Sequence, residues 1–398
     1  MLPDGWVKTT VGKSCTIRNT LRFPLNATDR ANMPGEYPYF GPTGKLDAID
    51  HYRIDEPFAL IGEDGDHFLK FRDRPMTLYF DGKANVNNHA HIIGDSKECL
   101  AKWFYYCFMH RDLTATLSRQ GVGRYKLTKS GLEQLELALP PKQEQAAIVE
   151  VLSTWDQAIA TTERLLANAC TQRKTLTNAL FVHGRHSSMT THGWKFADLD
   201  EVFERVTRRN TTANSNVLTI SGTRGLVSQR DYFNKSVASE NLSGYTLIER
   251  GEFAYNKSYS AGYPMGAIKP LTRYDQGVVS SLYICFRLRD GVEADADFFR
   301  HYFEVGMLNE GLSGIAQEGA RNHGLLNVGV GDFFKLRLHI PDVTEQRRVA
   351  AILNMAEQKE QLITAQLDKL RDEKKALMSQ LLTGKRRVRL PADEAETA

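Results

Sequence analysis

The feature that most constrains this chain is that it repeats itself. Leu137-Ala138-Leu139-Pro140 runs into Glu144-Gln145, Ile148, Val151 and Leu152. Leu338-His339-Ile340-Pro341 runs into Glu345-Gln346, Val349, Ile352 and Leu353, and every pair lies 201 residues apart. The match extends back through Leu135/Leu336 and forward through Leu166/Leu367, Leu176/Leu377 and Leu180/Leu381. Gly5-Trp6 matches Gly193-Trp194 at a spacing of 188, so the second globular segment is the longer one. Such a period is too long for a solenoid, whose repeats have roughly 20–45 residues. The chain is a duplicated two-part module, each part a globular segment followed by a long helical one.

The helical segments carry a seam. In the first it reads Leu152, Trp155, Ile159, Thr162, Leu166, Ala169, Arg173, Leu176 and Leu180. In the second it reads Leu353, Ala356, Glu360, Ile363, Leu367, Leu370, Lys374, Leu377 and Leu381. Alternating steps of three and four describe a coiled-coil-type stripe that must be buried somewhere, and the other copy is the nearest partner. Thr344 reads as an N-cap with Glu345 in the first turn, and His183-Gly184 and Gly384 read as stop signals.

The globular segments read as mixed α/β. Runs such as Thr77-Leu78-Tyr79-Phe80 and Leu282-Tyr283-Ile284-Cys285-Phe286 look like strands between turn-rich stretches. Each segment carries one late helix, near Glu98–His110 and Asp297–Leu308. The boundaries are 1–142, 143–186 (first helix), 187–343, 344–385 (second helix) and a polar tail, 386–398, expected to be disordered.

Catalytic signatures fail one by one. Gly12-Lys13-Ser14 resembles a P-loop end, but Val7 stands where the upstream glycine belongs. Asp342, Glu357 and Lys359 imitate a metal-dependent nuclease triad, yet the first copy has Pro141, Asp156 and Ala158 there. His89, His91 and Cys99 lack a fourth metal ligand at workable spacing. No catalysis and no metal site are therefore expected on this chain. Five scattered cysteines without a CxxC pair fit a reducing, cytoplasmic setting, and Met1–Trp6 does not open like a signal peptide.

With these residues in view, the pattern resembles the specificity subunit of type I restriction-modification systems. Leu137–Pro140 with Glu144-Gln145 and Ile148, and Leu338–Pro341 with Glu345-Gln346 and Val349, carry the resemblance over nearly the whole chain, to about Arg389. Tyr37–Gly41, Leu60–Gly65, Phe80–Lys83 and Asn87–Ala90 are similar to a frequent opening of the family's first recognition domain. Gly277-Val278-Val279-Ser280 matches another variant, while Glu249–Phe253 departs from the Gly62–Gly65 run. The resemblance implies a mixed α/β (α+β) fold: two globular target-recognition domains separated by two long antiparallel coiled-coil-like helices, with an internal pseudo-two-fold duplication. It further implies double-stranded DNA as partner, read as a bipartite, asymmetric target. Two methyltransferase subunits would carry S-adenosylmethionine, and restriction subunits would use ATP and Mg²⁺; this chain itself holds no cofactor. A duplicated protein-interaction scaffold that never touches DNA is the alternative.

Reading base edges requires bidentate polar side chains on loops. In the first domain these are Thr43, Lys45, Lys70, Arg72, Arg74, Asn87, Asn88, His89, Arg119 and Arg124. In the second they are Arg208, Arg209, Thr223, Arg224, Gln229, Lys257, Tyr259, Arg321, Asn322 and His323. The loops around Gln120 and Asn322 precede the two Pro segments at equivalent places. Net charge is only +3, with 19 basic and 17 acidic residues in 1–142 and 17 and 18 in 188–343. Local patches must then do the work, and the isolated chain is expected to bind DNA weakly.

Overall fold

The computed structural model describes residues 2–119, 125–183, 193–233, 241–258, 260, 262–318, 324 and 326–390. It is mixed α/β and divides into two compact units, 1–163 with 365–398, and 164–364. The first long helix is α-helical over Lys142–Thr177 and the second over Val343–Leu381, so each helix contributes its two halves to different units.

Each globular segment is closed by a ladder between its first and last strands. Val7–Thr10 pairs antiparallel with Glu136–Leu139, and Lys195–Asp198 pairs with Arg337–Ile340. Alternation sets which side is buried: Leu137 and Leu139 enter one core, Leu338 and Ile340 the other. Each segment also holds an antiparallel four-stranded sheet of the same order. In the first, Thr16–Ile17, Ala90–Gly94, Phe58–Gly62 and Thr77–Phe80 are neighbours in that sequence. In the second, Phe203–Arg205, Ile284–Leu288, Phe253–Asn256 and Ala267–Pro270 repeat it. The first segment adds a second four-stranded sheet built from Lys45–Ile49, Pro34–Phe40, Lys83–Val86 and Ile54–Asp55.

The cores differ in composition. The first unit packs Trp6 edge-on to Trp103, ring centres 5.7 Å apart. The second is phenylalanine-rich, with Phe203 edge-on to Phe286 at 5.2 Å and to Phe299 at 4.8 Å. Each such pair contributes about 0.5–1.5 kcal/mol beyond its buried area.

The repeated Pro…Glu-Gln motif is a clasp. Gln145 is fully buried; its Nε2 donates to Pro140 O at 2.9 Å and its Oε1 accepts the Leu100 N–H, where the late helix Ala101–Phe108 begins. Gln346 does the same with Pro341 O at 2.9 Å and the Asp295 N–H, where the helix Ala296–Glu304 begins. One buried amide thus joins the start of each long helix to its globular segment. Glu144, 1% exposed, accepts the Trp6 indole N–H and a two-pronged pair from Arg387. The N-cap of the second helix is Asp342, not Thr344: its Oδ1 accepts the Glu345 N–H, and Thr344 lies within the helix. A carboxylate three residues upstream meets the exposed N–H better than a hydroxyl already inside the first turn.

In the first unit the helices run antiparallel, with Asp156 paired to Lys374 and Glu163 to Arg371. Leu152, Thr162, Leu353, Leu367 and Leu381 are buried; Trp155, Ile159, Leu166, Ile363, Leu370 and Leu377 are half-buried. Polar seam residues have partners. Arg173 pairs with Glu360 at 2.8 Å, and the Thr162 hydroxyl donates to Ala158 O. The first helix widens into a π-helix over Asn178–His183, which re-phases the stripe. Leu176, in the α-helical turn before it, is 38% exposed, Leu180 is half-buried, and Phe181 takes the buried place in the second unit's core.

Candidate nucleic-acid interface

In the first unit four loops meet at one edge. The turn Gly41–Gly44 is closed by a hydrogen bond from Gly41 N–H to Gly44 O and carries exposed Thr43, followed by exposed Lys45. A Cβ on Gly62 would sit 3.1 Å from Pro42 O and 2.5 Å from the His67 ring, so glycine lets these loops approach. Glu63 N–H donates to His89 O, and Asn87 N–H donates to Phe40 O. The hairpin strands Ser118–Arg119 and Tyr125–Lys126 join through Gly65 N–H to Tyr125 O and Leu127 N–H to Glu63 O.

Thr43, Lys45, Asn88, His89 and Arg119 share this edge and are exposed. Asn87 is turned inward: its Oδ1 accepts the His89 N–H and shapes the turn. His89 Nδ1 lies 3.1 Å from Asp64. Lys70 pairs with Asp66 on the helical turn that follows, and exposed Arg74 caps that turn with its N–H. Arg72 instead lines a groove of about 760 Å³ with Tyr106, Arg111, Ile159, Lys375 and Met378. Arg124 lies outside the described residues.

A buried polar cluster supports the edge. Arg22 and Lys126 pair with the two oxygens of Glu63 at 2.9 and 3.0 Å. Beside them His91, 1% exposed, takes donors from Asn19 and Arg22 at Nδ1, so Nε2 carries the proton and donates to Leu127 O at 2.8 Å. Burial, helped by the Arg22 charge, holds His91 below its ordinary 6.5 against the opposing hydrogen bond to Leu127 O and the pull of Glu63. The unfolded chain takes up a proton below 6.5 that the folded imidazole refuses, so this contribution is intact above that pH and lost as pH falls. Thermal melting between pH 7 and 5 should show a steeper fall for the native chain than for His91→Gln. Parallel curves would remove His91 as the cause.

The second unit repeats the arrangement with other chemistry. The turn between Leu218–Ser221 and Gly225–Ser228 presents exposed Thr223 and Arg224. Lys257 lies at the end of the central strand, and its carbonyl accepts the Leu326 N–H, so the hairpin Gln317–Glu318/Leu326–Asn327 joins here as its counterpart does in the first unit. Gln229 opens a short helix with its Oε1 enclosed. Arg208 pairs with Glu252 and Glu249, and Arg209 donates to Gly244 O, so both serve the fold beside Thr246–Glu249. Tyr259, Arg321, Asn322 and His323 lie outside the described residues. Lys126, Asp64 and Lys269 were missed by sequence reasoning, because their partners are remote in the chain and no spacing announces them.

The nuclease-like residues are dispersed. Asp342 caps the helix, Glu357 pairs with Arg300 at 2.9 Å, and Lys359 donates to Gln172. Asp342 and Glu357 stand fifteen residues apart on one helix, about 22 Å. Among the described residues no group of three or more His, Cys, Asp or Glu is placed to hold a metal ion, and no helix is long and apolar enough to cross a membrane.

Residues 3–169 match the family described as Type I restriction modification DNA specificity domain. The match covers the first globular segment and most of the first long helix. A Haemophilus influenzae protein bearing the name of a type I restriction enzyme specificity subunit is 29% identical over 136 residues, 34% of this chain and 34% of that relative. The match thus spans about a third of the relative's length. Among solved structures, the type I restriction-modification S subunit of M. genitalium superposes with a TM-score of 0.59 at 15% identity, covering 96% of this chain and 97% of that one. A chain from a structure of the type I R-M system's assembly and conformational transition gives 0.50 at 14% identity, covering 96% and 99%. These likenesses establish a shared fold over 96% of the chain. The two loop edges occupy topologically equivalent places in the two units.

Proposed function

We propose that this chain is the non-catalytic DNA-recognition subunit of a type I restriction-modification complex, reading a bipartite, asymmetric target. The observation that carries the reading is the pair of topologically equivalent loop edges bearing different side chains. Thr43, Lys45, Asn88, His89 and Arg119 present one set of donors and acceptors, and Thr223, Arg224 and Lys257 another. Arg or Lys suits guanine, and Asn suits adenine. Unequal edges read unequal half-sites, and the paired long helices set the spacing of those half-sites.

The methyltransferase partners dock on the helices, bring S-adenosylmethionine and flip the adenine they methylate. The 760 Å³ groove of the first unit, with Ile159 and Met378 in its wall and Arg72 and Lys375 at its rim, is suited to a partner chain. Restriction subunits with ATP and Mg²⁺ complete the assembly in the cytoplasm, where the five free cysteines stay reduced. Near-neutral charge leaves part of the phosphate binding to these partners. Sequencing of methylated bases in cells expressing the chain with its methyltransferase should reveal one interrupted, asymmetric motif. No motif, with an active methyltransferase present, would remove the recognition role.

A further inference from the structure

The second unit contains a closed polar cluster that no recognition role has absorbed. Lys269, on the edge strand Ala267–Pro270, is 7% exposed. Its three N–H donors meet three acceptors: Gly222 O at 3.0 Å, the Tyr263 hydroxyl at 2.9 Å, and Glu304 Oε2 in a short contact. The Tyr263 oxygen also lies 2.9 Å from Gly222 O and 2.7 Å from Glu304 Oε1, and its ring stands beneath the lysine ammonium. A Cβ on Gly222 would sit 2.9 Å from the Tyr263 ring, so only glycine brings this backbone into the cluster. Glu304 ends the helix Ala296–Glu304, where a nearby cation is also favoured by the helix dipole.

Gly222 is the first residue of the turn that carries Thr223 and Arg224. We infer that Lys269, with Tyr263 and Glu304, is a latch that fixes the Gly222–Arg224 turn for base reading. It is a specificity-determining positioning group, and it touches no base itself. Removing the ammonium leaves the Glu304 carboxylate without its partner and frees the turn from the edge strand. Discrimination between bases depends on donor placement to within a fraction of an ångström, so a released turn still meets DNA but reads it less strictly.

The inference rests on the recognition reading proposed above, and the test separates the two. Lys269→Met and Tyr263→Phe are expressed with the partner methyltransferase, and methylated motifs are determined beside the native chain. Leu338→Ala, in the same unit's core and away from the turn, serves as a control of comparable melting loss. The expected result for Lys269→Met is about tenfold weaker discrimination at one or more positions of one half-site, with the other half unchanged. Tyr263→Phe, which keeps the ring, should give a smaller change in the same half, and Leu338→Ala none. If Leu338→Ala relaxes the motif equally, or Lys269→Met relaxes neither half or both, the latch is overturned. If the native chain yields no motif, the recognition reading fails first.

Discussion

Exchanging residues 187–343 for the corresponding segment of another subunit of this fold should replace one half of the methylated motif and leave the other half intact. The structure gives this exchange a clean boundary. The segment enters through Lys195–Asp198 and leaves through Arg337–Ile340, and these strands pair in one ladder with Lys195 opposite Ile340. Its two ends therefore leave side by side, and most of the phenylalanine-rich core lies within it, completed by Phe181, Val349, Ala350 and Leu353 of the flanking helices. Gln346 stays with the second long helix, while its partners Pro341 O and the Asp295 N–H leave with the segment, so the replacement must supply the same proline and helix start to keep the clasp. Each mismatched base pair costs roughly 1–3 kcal/mol. A half-site differing at three positions thus changes preference by about a hundredfold or more. Methylome sequencing of the exchanged chain reads this directly. An unchanged motif, or one altered in both halves, would count against the assignment of one unit to one half-site.

A charge in the helix seam should have the largest effect on stability. Leu367 is 4% exposed, and Leu367→Asp loses the packing of a buried leucine while placing an unpartnered carboxylate among apolar groups. Together these cost about 3–5 kcal/mol, a large share of a domain's margin. We expect a drop of many degrees in melting temperature and loss of the methyltransferase complex on gel filtration. Leu176→Asp is the matched comparison. Leu176 is 38% exposed, so its change should stay within about 1 kcal/mol. Equal losses at the two positions would show that the seam follows the unbroken heptad instead.

Much of this fold was legible in the chain itself. Repeated Leu, Pro and Gln residues 201 apart marked two copies, and steps of three and four marked the long helices. Both signals are local or periodic, and that is why they survive without coordinates. The π-helix at Asn178–His183 was not legible, since it answers to Phe181 seeking the second core. Nor was the pairing of Arg173 with Glu360, which requires the register between two helices.

The candidate site was legible only as a set of residue types. The sequence alone settled duplication, helix seam and the unequal character of the two globular segments. Tertiary structure decided which partners these side chains take. It placed Arg72 beside a groove, paired Arg208 with Glu252 and Arg209 with Gly244 O, and folded Asn87 into its own turn. It also put Lys269 under the Gly222 turn. The physical reason is common to all of these. A charged side chain takes the partner that desolvation and geometry allow, and that partner comes from strands and helices brought together only by folding.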